Sequence, residues 1–201
     1  MTGTRSTPDP ARGPSPDRSP RPTQEMERVA ASPRPAPPDP VCGDFDIRIG
    51  RDGTWYYHGS PIGRKPLVRL FASVLRREAD GSFWLVTPVE RGRIVVEDAP
   101  FTAVALEVAG SGRGQALTFR TNIDDEVTAD AAHPLRVETN PGTAEPSPYI
   151  LVRPGLEARL LRPVFYELVA LGESRREGGE EAYGVWSKGQ FFPLGRLEPG
   201  S

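Results

Sequence analysis

The sequence predicts a strand-dominated α+β protein made of two related repeats that follow a disordered, proline-rich arm. Three observations lead to this fold class. Eleven of the 23 prolines fall in residues 1–40. Soon after these prolines, apolar and polar residues begin to alternate, which is the period of a half-buried strand. The second half of the sequence then repeats the order of predicted elements found in the first half. We therefore expect an arm at 1–40, a first repeat at 41–112 and a second repeat at 113–197.

The composition excludes several classes of partner. A formal net charge of −2 provides no long-range attraction for phosphate backbones or anionic membranes. The single cysteine, Cys42, cannot form an internal disulfide, so nothing indicates an oxidising compartment. The sequence shows no signal-peptide pattern and no apolar run near the ~20 residues that cross a bilayer. We expect a cytoplasmic protein that binds neither double-stranded nucleic acid nor membranes.

The arm carries Ser, Asp, Arg and Ala between its prolines and has too few apolar residues for a packed core. Its PxxP pattern at residues 35–38 is typical of polyproline ligands. A purely solvated arm is the alternative, and the sequence does not indicate which protein the arm would bind.

The first repeat opens with a predicted hairpin. Residues 45–49 alternate between apolar and polar, and residues 54–58 are rich in the aromatic residues that suit a pleated strand. Asp52-Gly53 supplies the turn between them, because this dipeptide tolerates positive φ.

A helix is predicted to follow at Lys65-Pro66, since proline at the first helical position gives up no hydrogen bond. The apolar face predicted for this helix consists of Leu67, Leu70, Phe71 and Val74. Further strands are predicted at residues 83–87, 93–97, 101–108 and 116–121.

The second repeat follows the same order. Residues 135–137 correspond to residues 47–49, and Tyr149 begins the strand that corresponds to the Trp55 strand. Arg162-Pro163 opens a helix as Lys65-Pro66 does, and glycine turns precede both helices. The paired helix starts are the strongest sign of duplication, and chance similarity between short strand-rich segments is the alternative.

Catalytic and metal signatures are weak. Cys42, His58 and His133 are isolated in sequence, and no metal or other cofactor is expected. The acidic residues 124–126 lack the pattern of a calcium loop and indicate a solvated turn. No Gly-x-Ser-x-Gly motif is present, and the glycine-rich residues 110–114 are predicted to be a hairpin loop.

The remaining candidate site is the cleft expected between the repeats, because two small domains that pack together leave a groove at their junction. Arginine can pair with a phosphate or carboxylate, and tyrosine can stack on a base. The candidate ligand-binding residues are Thr87, Glu90, Glu97, Asp98, Thr121, Asn122, Tyr149, Arg153, Glu157 and Arg159. The alternative is that these residues form ion pairs between the repeats, such as Arg153–Glu157 or Arg159–Glu90.

Five segments occur in a distinctive order, at residues 87–90, 96–101, 121–122, 148–159 and 162–166. In this order they resemble the bacterial family known as domain of unknown function 1285, over roughly residues 41–172. The resemblance implies an α+β protein with an internal duplication, whose second half is superficially similar to pleckstrin-homology folds. It also implies a nucleotide-like ligand between the halves and a part in signal transduction.

The sequence thus favours a ligand-binding or regulatory protein, not an enzyme, that holds a small anionic or nucleotide-like ligand between its repeats. A second hypothesis is an interaction scaffold that recruits a protein through the arm at 1–40. A third is a carboxylate-dependent hydrolase that uses Glu90 or Glu97.

Overall fold

The computed structural model describes residues 41–139, 142, 145–177 and 180–196. The predictions for the arm, its disorder and its polyproline motif, lie outside the described residues. Within the described part, no helix is long and apolar enough to cross a membrane.

The first half forms one six-stranded sheet. A helix, α1 (Lys65–Val74), follows the third strand along the chain and precedes the fourth. The order across the sheet is β3-β2-β1-β6-β5-β4, and only the central pair β1–β6 is parallel among these described strands. The strands are β1 (Val41–Ile49), β2 (Trp55–Tyr57), β3 (Ser60–Pro61), β4 (Leu75–Arg77), β5 (Phe83–Val86) and β6 (Glu90–Val96).

Helix α1 begins at the predicted Lys65-Pro66, but its buried face differs from the prediction. Leu70 is 60% exposed, whereas Ala72 is completely buried. Phe71 stacks on buried Trp55 with ring centroids 6.3 Å apart. The buried stripe is therefore rotated toward Ala72, whose small side chain lets the helix lie close to the sheet. The prediction that Leu70 faces the core was wrong, because hydropathy alone does not decide between adjacent stripes of a short helix.

The second half contains a six-stranded sheet in the order β10-β11-β12-β7-β8-β9 and a separate sheet in the order β13-β14-β15. Helix α2 (Arg162–Ala170) follows β12. The first of these sheets consists of β7 (Phe101–Ala109), β8 (Ala116–Thr121), β9 (Glu126–Thr128), β10 (Leu135–Thr139), β11 (Pro146–Arg153) and β12 (Leu156–Leu160). The second consists of β13 (Glu173–Glu177), β14 (Glu180–Ser187) and β15 (Gln190–Arg196).

The order of elements confirms the duplication. Three strands, a helix and three more strands, β1–β3, α1 and β4–β6, recur as β10–β12, α2 and β13–β15. Both helices have proline in the first turn, as predicted. The similarity of the second half to pleckstrin-homology folds stays a prediction.

Strands β7, β8 and β9 lie between the two copies, and β7 pairs with both β8 and β12. The division expected after Gly112 therefore cuts the β7–β8 hairpin, which belongs to the second sheet. The sequence-based boundary was too late because a strand's partners are set by long-range pairing. The predicted loop at residues 110–114 joins these strands and contains a single turn of 3-10 helix, Gly112–Gly114.

The two halves share one hydrophobic core and are also joined by hydrogen bonds. Buried side chains from both sheets, including Trp55 and Phe119, belong to the same cluster. The Asn122 amide donates to the carbonyl oxygen of Gly53 over 3.1 Å and accepts the Thr102 backbone N–H at 3.2 Å. Gly53 has φ +82°, and a Cβ there would lie 2.8 Å from the Asn122 nitrogen. Only glycine fits this contact between the halves.

Candidate functional site

Two grooves open along the junction of the halves, and the first is named here the Tyr149 groove. It has a volume of about 210 Å³. One wall comes from β4 and β5, the floor from the segment between β6 and β7, and the other wall from β10, β11 and the β11–β12 hairpin. The lining residues are Arg77, Phe83, Asp98, Ala99, Pro100, Arg136, Glu138, Tyr149, Gly155 and Glu157.

Arg136, Tyr149 and Arg159 are direct neighbours across β10, β11 and β12. The Arg136 guanidinium lies 4.4 Å above the Tyr149 ring and donates from Nε and Nη2 to the two Glu157 oxygens, each at 2.6 Å. It also contacts Glu138. The hydrogen bonds to Glu157 are the main cause that raises the pKa of Arg136, although burial opposes them. Arg136 therefore stays protonated, and its charge is matched by the carboxylates of Glu157 and Glu138.

Asp98 connects this wall to the segment that joins the two sheets. Its carboxylate accepts the Tyr149 hydroxyl at 2.8 Å and lies 3.2 Å from Arg159 Nη1 and 3.7 Å from Arg51 Nε. Burial, followed by the hydrogen bond to Asp98, raises the pKa of the Tyr149 phenol. Tyr149 thus remains a neutral donor at physiological pH.

Arg77 differs from the other charged residues of the groove. Among the described residues it has neither a hydrogen bond nor an ion pair, and its guanidinium lies 5.4 Å from the centre of the Phe83 ring. Its stem passes the β11–β12 turn at Gly155, where φ is +73° and a Cβ would lie 3.2 Å from the Arg77 Cβ. Glycine at this turn leaves space for the stem of the arginine, and the Arg77 Nη2 atom lies 3.8 Å from where a Cβ at Gly81 would be. Arg77 is exposed and lines the groove without a protein counter-ion in the described part of the chain.

The second groove, named here the Arg153 groove, has a volume of about 290 Å³ and lies between α1, the β8–β9 turn and the end of β11. Its lining residues are Arg69, Ser73, Ile123, Asp124, Asp125 and Arg153. Arg153 Nη2 donates to the carbonyl oxygen of Ala72 at 3.2 Å and lies 3.8 Å from Asp125. Arg153 Nε is buried without a hydrogen-bond partner among the described residues.

Asp124 is the anion at the mouth of the Arg153 groove. It adopts the left-handed conformation with φ 63°, and its carboxylate contacts Arg69 and accepts from Lys65 Nζ at 2.7 Å. Arg120 lies 3.8 Å away. The Lys65 hydrogen bond, and then the charges of Arg69 and Arg120, hold the pKa of Asp124 below its usual range. Of the turn predicted at residues 124–126, Asp124 and Asp125 lie in the β8–β9 turn, whereas Glu126 begins β9, and the carboxylate of Asp124 is enclosed by cations.

The structure brings together some of the predicted site residues. Asp98, Tyr149 and Glu157 line the Tyr149 groove, with Arg159 directly beside them. Arg153 lines the other groove, where Thr121 closes the turn by accepting the Asp125 backbone N–H at 3.0 Å.

The other predicted site residues lie outside both grooves. Thr87 and Glu90 bond to each other across the β5–β6 turn, with the Thr87 N–H donating to the Glu90 carbonyl at 2.8 Å. Glu97 is exposed and pairs with Arg48, while Asn122 joins the halves through Gly53.

The ion pairs have partners other than those expected. Glu157 pairs with Arg136 inside the second sheet and not with Arg153, and Arg159 pairs with Asp98, in the segment between the sheets, and not with Glu90. Sequence reasoning also missed Arg77 and Arg69. Arg69 could have been recognised because it lies off the apolar stripe of a helix that had to face the other half, whereas no local pattern distinguishes Arg77.

No group of three or more His, Cys, Asp or Glu side chains is placed to hold a metal ion within residues 41–139, 142, 145–177 and 180–196. The two histidines have carboxylate neighbours instead, with Asp46 2.7 Å from His58 and Asp130 3.1 Å from His133.

Two family models match the chain. Residues 36–99 match the N-terminal domain of a domain of unknown function, DUF1285, and residues 100–194 match the C-terminal domain of the same family. The boundary between the two family domains lies just before β7, and β7 is also the first strand of the second sheet. No functionally curated protein gives a significant match.

Two crystal structures are similar to this one. A DUF1285 family protein from Silicibacter pomeroyi is 50% identical, with a TM-score of 0.73 over 85% of this chain and 92% of that chain. A DUF1285 family protein from Shewanella baltica is 29% identical, with a TM-score of 0.51 over 63% of this chain and 91% of that chain. The protein described here therefore belongs to the DUF1285 family, whose function is unknown.

Proposed function

We propose that the protein is a non-enzymatic ligand-binding protein with a regulatory role in signal transduction, and that the Tyr149 groove holds a small organic anion. The observation that carries this proposal is the state of Arg77. Arg136 is fully engaged by Glu157 and Glu138, and Asp98 is engaged by Tyr149 and Arg159. Arg77 alone among the groove-lining cations described has no protein counter-ion, so an anion from solution is its natural partner.

The chemistry of the groove favours a carboxylate. A guanidinium presents two parallel N–H donors that match a planar carboxylate, and such pairs are stronger than neutral hydrogen bonds. The opposite wall is already fixed by the bonds among Arg136, Glu157 and Tyr149. Binding to a preformed site costs little side-chain ordering, which increases affinity.

The size of the groove limits the ligand. Its volume of about 210 Å³ is below the ~300–1,000 Å³ typical of drug-sized ligand pockets. A small carboxylate compound fits this space, whereas a nucleotide-like ligand would place only one charged group inside it. A ligand that contacts both halves stabilises their packing against each other. This change in packing is the signal that a partner protein would recognise when the groove is occupied.

The surroundings of the two carboxylates suggested for a hydrolase argue against a general acid there. The backbone N–H of Arg51, and then the Arg48 guanidinium, hold the pKa of Glu97 below its usual range, whereas a general acid needs a raised pKa. Glu90 lies at the exposed β5–β6 turn, outside both grooves.

Thermal unfolding at low ionic strength tests the proposal, with acetate, succinate, citrate, glutamate and AMP as the added anions. A ligand at a hundredfold excess over its dissociation constant adds ~2.7 kcal/mol to the free energy of unfolding. We expect stabilisation by at least one carboxylate and none by matched sodium chloride. Stabilisation by AMP alone would favour the nucleotide hypothesis, and no stabilisation by any of the five would contradict binding of a small organic anion.

A further inference from the structure

The Arg153 groove combines an unsatisfied donor with converging positive charge. Lys65 and Arg69 approach from α1, and Arg153 approaches from β11. Against these three cations stand the carboxylates of Asp124 and Asp125. Arg120 Nη1, 3.8 Å from Asp124, adds a fourth positive charge from β8.

Arg153 is the residue with unused donor capacity. One of its terminal nitrogens donates to the Ala72 carbonyl, but Nε is buried without a partner in the described part of the chain. A buried N–H without an acceptor costs free energy, which a shift of the Arg153 side chain toward a ligand oxygen in the groove would recover. The groove of about 290 Å³ beside it is large enough for a polyatomic anion.

We propose that the Arg153 groove is a second ligand site, specific for phosphate, and that Asp124 occupies its cationic centre when phosphate is absent. Phosphate displaces the Asp124 carboxylate and accepts hydrogen bonds from Lys65, Arg69 and Arg153. This site is separate from the Tyr149 groove and does not depend on the function proposed for it.

The arrangement of the donors favours phosphate over a carboxylate. The cations belong to two elements and approach the site from different directions. The oxygens of a tetrahedral anion can accept hydrogen bonds from all of them, whereas the two oxygens of a planar carboxylate accept from fewer directions. Phosphate also carries up to two negative charges where Asp124 carries one, and its O–H can donate to the Asp125 carboxylate, which sulfate cannot do.

Isothermal titration calorimetry at low ionic strength tests this site with inorganic phosphate, glycerol 3-phosphate as a monoester and sulfate as a control for charge. We expect Arg153→Met and Arg69→Met each to weaken phosphate binding by about tenfold or more. Asp124→Asn should strengthen it by about the same factor, because the internal competitor is removed. Arg162→Met, in an arginine that is 76% exposed and remote from the groove, is the charge-matched control and should bind as the unmodified protein does.

The opposite effects of the two kinds of variant separate this site from general electrostatics. Binding of the monoester as well as free phosphate identifies a phosphate-ester ligand, and binding of free phosphate alone identifies the inorganic ion. Equal affinity for sulfate, or unchanged affinity in Asp124→Asn, would overturn the proposal. Phosphate binding that is lost in Arg77→Met but kept in Arg153→Met would assign the anion to the Tyr149 groove instead. Circular dichroism and the unfolding temperature of each variant verify that it is folded.

Discussion

The hydroxyl of Tyr149 donates a 2.8 Å hydrogen bond to the carboxylate of Asp98, which joins strand β11 of the second half to the segment between the two sheets. Arg159, the cross-strand neighbour of Tyr149, contacts the same carboxylate. The wall of the Tyr149 groove is therefore built from groups that bond to one another, and Arg77 of the other half also lines the groove.

Tyr149→Phe should lower the free energy of unfolding by about 1.5–3 kcal/mol, because a buried hydrogen bond to a charged group is lost. The pKa of Tyr149 is raised in the folded state, so its contribution to stability is present below about pH 10 and is lost as pH rises through the folded-state pKa. Denaturant titrations from pH 8 to pH 11 should therefore show a smaller alkaline loss of stability in the variant. Tyr57→Phe, at a tyrosine that is 52% exposed, is the control. Identical alkaline slopes for Tyr149→Phe and the unmodified protein would contradict the burial argument.

Asn122→Ala should lower the free energy of unfolding by about 1–3 kcal/mol, because the Thr102 N–H and the Gly53 carbonyl lose their shared partner. Gly53→Ala disturbs the same link from the other side, since its Cβ would meet the Asn122 amide. Urea unfolding of both single variants and the double variant measures the coupling. The effects should be less than additive, and full additivity would show that the two residues do not act through one contact.

Asp124→Asn should make the protein less sensitive to acid. Because the folded-state pKa of Asp124 is lowered, its contribution to stability is present above about pH 4 and is lost as pH falls through the folded-state value. Urea midpoints measured between pH 6 and pH 2 should fall less steeply in the variant than in the unmodified protein. A steeper fall would mean that the surrounding cations do not stabilise this carboxylate.

The rotated stripe of α1 also predicts opposite effects for two neighbouring residues. Leu70→Ser should change the free energy of unfolding by less than about 0.5 kcal/mol, because Leu70 is exposed. Ala72→Leu should destabilise by about 1–3 kcal/mol, because the larger side chain has no space against the sheet. Guanidinium titrations of both variants make the comparison, and a larger cost for Leu70→Ser would restore the stripe expected from the sequence.

The parts of the fold that local sequence determines were predictable. Lys65-Pro66 and Arg162-Pro163 each mark a helix start, and the turn at Gly53 marks the first hairpin, because proline and glycine restrict or free the backbone at single positions. The parts of the fold that depend on pairing between strands distant in sequence were not predictable. Nothing in the sequence near β7 indicates that this strand pairs with β12, so the predicted boundary between the repeats was misplaced.

The same distinction applies to the candidate site. Asp98, Tyr149 and Glu157 were recognised because they occur in segments that resemble a known family, and the structure places all three in one groove. Arg77 was missed because its role depends on Gly155, which is distant in sequence and leaves the space it occupies. An unpaired cation is a property of tertiary structure, which no local pattern reveals.

The most direct test of the Tyr149 groove as an anion site is calorimetric titration of acetate, succinate, citrate and glutamate into the protein and into Arg77→Met. Arg93→Met is the matched control, since Arg93 lies in the same sheet with its side chain on the opposite, exposed face. We predict that the carboxylate bound by the unmodified protein loses at least tenfold in affinity in Arg77→Met and keeps its affinity in Arg93→Met. Equal affinity in all three proteins would contradict the account.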